Sequence, residues 1–153
     1  MYRRRIQVDV DILKKVGYRT HAEFEDHNHH IKLDMVFQIG TGKVLEAKAE
    51  MIRHPFPECP LALEALQNII GFRAVNFGSR KEVFKLVAGP KGCTHLAELV
   101  MESVNARIQA TDCLVPDWVD PELIAQRRKQ WENAWAGSCL HYTEPYWRPH
   151  ELD

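Results

Sequence analysis

The stretch "HIKLDMVFQIGTGKVLEAKAEMI", His30 to Ile52, decides the fold. Its first run puts Ile31, Leu33, Met35, Phe37 and Ile39 on one side of an extended chain, which is the period-two signature of a half-buried strand. "GTGK", Gly40 to Lys43, supplies a tight turn, and "KVLEAKAEMI", Lys43 to Ile52, continues as the next strand. Working outward towards the N-terminus, "YRTHAEFE" (Tyr18 to Glu25) directs Tyr18, Ala22 and Phe24 inward. "RIQVDVDI" (Arg5 to Ile12) alternates Ile6, Val8, Val10 and Ile12 with Gln7, Asp9 and Asp11. A turn around Lys14 to Gly17 joins these two, and the polar "HNHH" (His27 to His30) reads as another turn. Four consecutive strands with short connections predict an antiparallel β-meander.

Towards the C-terminus the period changes. "HPFPECP", His54 to Pro60, carries three prolines and excludes regular structure until Pro60, a residue suited to the first turn of a helix. A helix is expected over roughly Pro60 to Ile70, with Leu63, Leu66, Ile69 and Ile70 on one stripe and a stop at Gly71. "SRKEVFKLVAG" predicts a shorter one, with Ser79 as N-cap, Glu82 as its capping-box partner and Gly89 as terminator. From Cys93 onward Leu96, Leu99, Val100, Val104 and Ile108 recur at helical spacing. A last helix begins with Asp120 as N-cap and Pro121 behind it and runs to about Trp135. Strands followed by about four helices covering one face define an α+β fold. The domain is expected over 1–137, with 138–153 as an extended aromatic tail.

At 153 residues with mixed charge, the chain is long enough to bury a real core. Its net charge of -1 gives no electrostatic reason for nucleic acid or an anionic membrane as the main partner, despite the local basic spot "YRRR", Tyr2 to Arg5. No segment approaches the ~20 apolar residues that span a bilayer, and the first residues lack the apolar core of a signal peptide. A cytoplasmic protein is expected. In that compartment the four cysteines, Cys59, Cys93, Cys113 and Cys139, are free thiols, ligands or nucleophiles rather than a disulfide framework.

Two of these thiols stand at helix starts. Cys59 precedes Pro60 and Cys93 precedes Thr94, where unpaired backbone N–H groups and the helix dipole favour a thiolate. His95 lies two residues past Cys93, and because an N-cap residue is not yet helical the two side chains can converge on one ion. Asp34 sits among Leu33, Met35, Val36 and Phe37, where a carboxylate costs free energy unless it is paired or coordinates a metal. Alternation offers the plainer reading that Asp34 lies on the solvent face. His54 and Glu58, in the proline-rich loop, are spare ligands or supporting groups for such a site, or plainly polar loop residues. Asp34, Cys59, Cys93 and His95 together form an oxygen, sulfur and nitrogen set of the type zinc or iron(II) accepts.

From about Tyr2 to Thr111 the chain resembles DUF2889, a bacterial family of unknown function. The resemblance rests on Leu33-Asp34-Met35, on Pro55-Phe56-Pro57-Glu58-Cys59 and on Gly92-Cys93-Thr94-His95-Leu96. It implies no activity. In the order of its motifs the chain also resembles the iron-sulfur scaffold proteins of the NifU/IscU type, which likewise run sheet then helices. That resemblance implies Asp34, Cys59 and Cys93 as site residues, with His95 as an added nitrogen ligand. The scaffold's first cysteine falls on Lys32, so the implied site is a single zinc or iron(II) ion rather than a [2Fe-2S] cluster.

The sequence thus predicts a small metal-binding protein holding one ion. Two alternatives stand beside it. One is an accessory subunit that docks on a protein partner, or on its own copy, through the C-terminal region, where Trp118, Trp131, Trp135 and Trp147 concentrate. The other is a sulfur or acyl carrier using Cys59 or Cys93, with His95 as base. No reaction follows from the residues.

Overall fold

A computed structural model describes residues 1–74 and 79–152. Strands β1 (Arg5–Leu13), β2 (Gly17–Glu25), β3 (His30–Gln38) and β4 (Val44–Arg53) form one sheet in the order of the chain. Every neighbouring pair is antiparallel. The β3–β4 turn needs its glycine: Gly42 has φ +63°, and a Cβ there would lie 2.7 Å from the Ala74 carbonyl oxygen. The β2–β3 turn is built differently, from Asp26 to His29, and closes with the Asp26 N–H donating to the His29 carbonyl at 2.9 Å.

The predicted inward residues of β2 and β3 are buried, apart from Ile39, which lies past the end of β3 and is half-buried, as are Ile6, Val8, Val10 and Ile12 of the edge strand β1. Tyr18, Ala22, Phe24, Ile31, Leu33, Met35 and Phe37 form one face of the sheet, and helix α2 (Thr94–Cys113) packs on it against β1, β2 and β3. Leu96, Leu99, Val100, Val104 and Ile108 of α2 are all buried, each contributing about 1.5–3 kcal/mol by leaving water. Two buried residues of α2 are not apolar, Ser103 and Arg107. Arg107 lies with its guanidinium 5.4 Å from the Phe37 ring centroid and donates to the Ala74 carbonyl. Burial pushes it down to about 10, which leaves it charged at neutral pH.

The segment after the prolines is helical but of the 3-10 type, over Cys59–Ile69. With three residues per turn, Leu63, Leu66 and Ile69 align, and Ile70, expected on the same stripe, falls beyond the last turn and is exposed. This helix packs on β4 and on α1 (Arg80–Val87), and α1 packs on α2. The capping box expected from Ser79 and Glu82 does not form at the start of α1. Ser79 already has helical backbone angles (φ −69°, ψ −1°), so its side chain makes no cap bond.

The chain clusters into two compact units, Met1–Leu114 and Val115–Asp153. The second holds α3 (Pro121–Ala134), whose start is set by the predicted pair, with the Asp120 carboxylate accepting from the Glu122 N–H at 2.9 Å. The stretch after α3 folds back on it. Asn133 and His150 exchange two hydrogen bonds, at 2.6 and 2.8 Å, and edge-to-face contacts run from Trp135 through Tyr142 and Trp147 to His150. The residues expected as an extended tail therefore pack within the same unit as the helix before them. Among the described residues no helix is long and apolar enough to cross a membrane.

Candidate metal site

The four residues expected as one ligand set are distributed over the first unit. Asp34 is on the exposed face of β3, opposite His21 and Lys48 of the flanking strands, and its carboxylate pairs with the His21 ring. Leu33 and Met35, its neighbours, face α2. Asp34 therefore points away from the helix that carries His95, as strand alternation alone requires. Cys59 begins the 3-10 helix and is half-buried. Cys93 is the N-cap of α2, in extended backbone (φ −140°, ψ 129°), and its Sγ lies 4.0 Å from His95 Nδ1. Of the expected set, the structure brings Cys93 and His95 together and places Asp34 on the opposite face of the sheet.

His95 instead meets the β2–β3 turn. Among the described residues, Asp26, His29 and His95 are the one group of three whose potential ligand atoms all lie within 4.8 Å of one another. Each comes from a distinct local cause. Phe24 is the last inward residue of β2, so the chain leaves the sheet with Asp26 turned to the same end, and the Asp26 carboxylate folds the next residues round itself. Its Oδ1 accepts from the backbone N–H of Asn28 at 2.8 Å and of His29 at 2.7 Å. The same oxygen lies 3.0 Å from His29 Nδ1, a contact that holds the ring in place. Oδ2 accepts from the Tyr2 hydroxyl at 3.0 Å. Arg53 pins the turn from β4 by donating to the Asp26 carbonyl at 2.7 Å.

The two imidazoles meet at a tilt of 39° with ring centroids 4.1 Å apart, and Phe24 packs at 5.0 Å from the His95 ring. Arg4 lies over the Phe24 ring at 4.9 Å from its centroid and pairs with Glu98, one turn along α2 from His95. The electrostatics follow from this enclosure. Burial would raise the Asp26 carboxyl, but the hydrogen bonds from Asn28, His29 and Tyr2 outweigh it and hold the group well below the usual carboxylate range. Burial, and then the neighbouring His29, lower His95 from its ordinary value. A carboxylate that favours its ionised form beside an imidazole disfavoured as a cation suits metal ligation, which needs both groups deprotonated.

Asp26 and His29 were not among the residues expected from the sequence, where "HNHH" reads as a polar turn. It is one, and the same Asp-x-x-His turn also presents an imidazole. The signal available was a turn of that composition immediately after the inward Phe24. What it meets, a helix start 66 residues further on, has no local signature.

No curated protein and no solved structure matches the chain. A family model described as a protein of unknown function, DUF2889, matches residues 3–109, a span that contains the sheet, the Asp26 turn and the Cys93–His95 helix start, and the chain belongs to that family.

Proposed function

We propose that the protein binds one divalent transition-metal ion, zinc or iron(II), at Asp26, His29 and His95, with Cys93 as the next available ligand. The observation that carries this reading is the convergence of a buried carboxylate and two imidazoles from elements far apart in the sequence. The plainer account, that Asp26 only caps its own turn, explains the backbone bonds. It does not explain why α2 brings a second imidazole, disfavoured as a cation, against the first. Two imidazoles and a carboxylate with open positions suit iron(II), and recruitment of the Cys93 thiolate would favour zinc.

Metal analysis of protein purified under reducing conditions tests the proposal. About one ion per chain is expected, lost on substitution of His29 or His95 and retained on substitution of Asp34. Wild-type protein that folds but carries no stoichiometric zinc or iron, and takes up neither on addition, would overturn it.

A further inference from the structure

Beside Asp26, on the side away from α2, the N-terminal segment and the ends of β2 and β4 enclose a cleft of about 410 Å³ lined by Arg3, Arg5, Glu25, Asp26, His27 and Arg53. Three guanidiniums face two carboxylates in a chain whose net charge is -1. The carboxylates are already engaged. Glu25 is shared between Arg5 at 3.4 Å and Arg53 at 3.3 Å, Arg5 also reaches Glu23 at 3.6 Å, and both oxygens of Asp26 accept hydrogen bonds from the turn and Tyr2. Arg3 makes no hydrogen bond or ion pair among the described residues.

We propose that this cleft binds a small anion bearing carboxylate or phosphate groups, held by Arg3 and Arg5 next to the Asp26 carboxylate. Planar guanidiniums match such oxygens in pairs, and Arg5, held only by exposed ion pairs to Glu23 and Glu25, can turn a donor to the ligand beside Arg3. Arg53 is committed to the Asp26 carbonyl and holds the turn, so it couples the cleft to the metal-ligand candidates rather than serving chiefly as an anchor. The ligand is small because positive charge does not continue beyond the cleft. The exposed face of the sheet alternates Arg19, Lys32 and Lys48 with Asp9, Asp11, Asp34, Glu46 and Glu50, which offers no track for a long polyanion. The anion would be the substrate or ligand of the site proposed above, and in that respect the inference rests on that reading; the cleft itself does not require the ion.

Titration calorimetry with inorganic phosphate and with succinate, at low ionic strength and with metal content measured on the same samples, tests this. Binding of at least one anion is expected, weakened roughly tenfold in Arg3→Gln and further in the Arg3→Gln, Arg5→Gln double variant, as loss of charge-assisted hydrogen bonds requires. Phosphate alone binding identifies a phosphoryl ligand, and succinate alone a carboxylate one. Circular dichroism confirms that the exposed variants remain folded. Wild-type protein that carries its ion but binds neither anion overturns the cleft proposal and leaves the metal reading intact. Affinity unchanged in the double variant also overturns it. Anion binding by metal-free protein that takes up no added ion supports the cleft and removes the metal reading.

Discussion

The molecule contains the same chemical pair twice, and the two copies have opposite settings. His21 and Asp34 face each other across β2 and β3 on the open side of the sheet, with side-chain exposures of 46% and 57%. His29 and Asp26 meet at the end of the same hairpin with exposures of 15% and 5%. An exposed pair gains little, because water screens it and two side chains are immobilised to make it. The enclosed pair has a carboxylate that organises four hydrogen bonds and a second imidazole delivered by α2. Residue type is therefore a poor guide to the site in this chain. Enclosure by a third element separates a surface ion pair from a candidate ligand set.

The comparison breaks most visibly in metal content. His29→Ala and His95→Ala are expected to take the protein from about one ion per chain to none by plasma mass spectrometry, while His21→Ala and Asp34→Ala leave the content unchanged. Loss of metal in the Asp34 variant with retention in the His95 variant would reverse the assignment. In denaturant unfolding of the metal-free protein, Asp26→Ala is expected to cost about 3 kcal/mol, since it orphans buried donors. Asp34→Ala is expected to stay within about 0.5 kcal/mol, and similar losses for both would show that the settings do not differ in energy. Cys93→Ser sharpens the ligand set. A drop in zinc affinity of roughly tenfold or more, with iron(II) affinity little changed, would place the thiolate on zinc.

The pH dependence is the smallest of these effects, and its sign follows from the two shifts. The Asp26 carboxyl is held low in the fold, so its contribution is present above its ordinary value and lost as pH falls through the folded one. His95 is also lowered, so below its ordinary value the unfolded chain takes the proton first and stability falls with pH there too. Metal-free protein is thus expected to lose stability on acidification from neutral pH, first through His95. The early part of that loss should vanish in His95→Gln, as measured by unfolding midpoints against pH. A midpoint that rises on acidification would contradict the burial of His95.

Much of the fold was legible because its causes are local. Alternation in Ile31, Leu33, Met35 and Phe37 is a property of neighbouring residues, and so is the helical spacing from Leu96 to Ile108. Asp120 and Pro121 mark a helix start by chemistry that acts within one turn. Where the reading missed, the deciding partner was elsewhere. The 3-10 segment Cys59–Ile69 buries Leu66 and Ile69 and packs on β4 and α1, elements distant in sequence, and Arg107 sits in an apolar helix stripe because the Phe37 ring and the Ala74 carbonyl receive it. For the site, Cys93 and His95 were correctly seen as neighbours at a helix start. Asp34 has apolar neighbours in sequence, but strand alternation turns it to the opposite face from Leu33 and Met35.

By itself, the sequence determined the strand order, the face each strand buries, the helix starts at Cys93 and Asp120, and the pairing of a thiol with an imidazole beside it. The tertiary structure alone decided which carboxylate and which second histidine share their space. Packing α2 across β1, β2 and β3 sets the His95 end of the helix over the turn that Asp26 folds, and contact between residues so far apart in the chain depends on how layers stack, which no period or spacing along the sequence encodes.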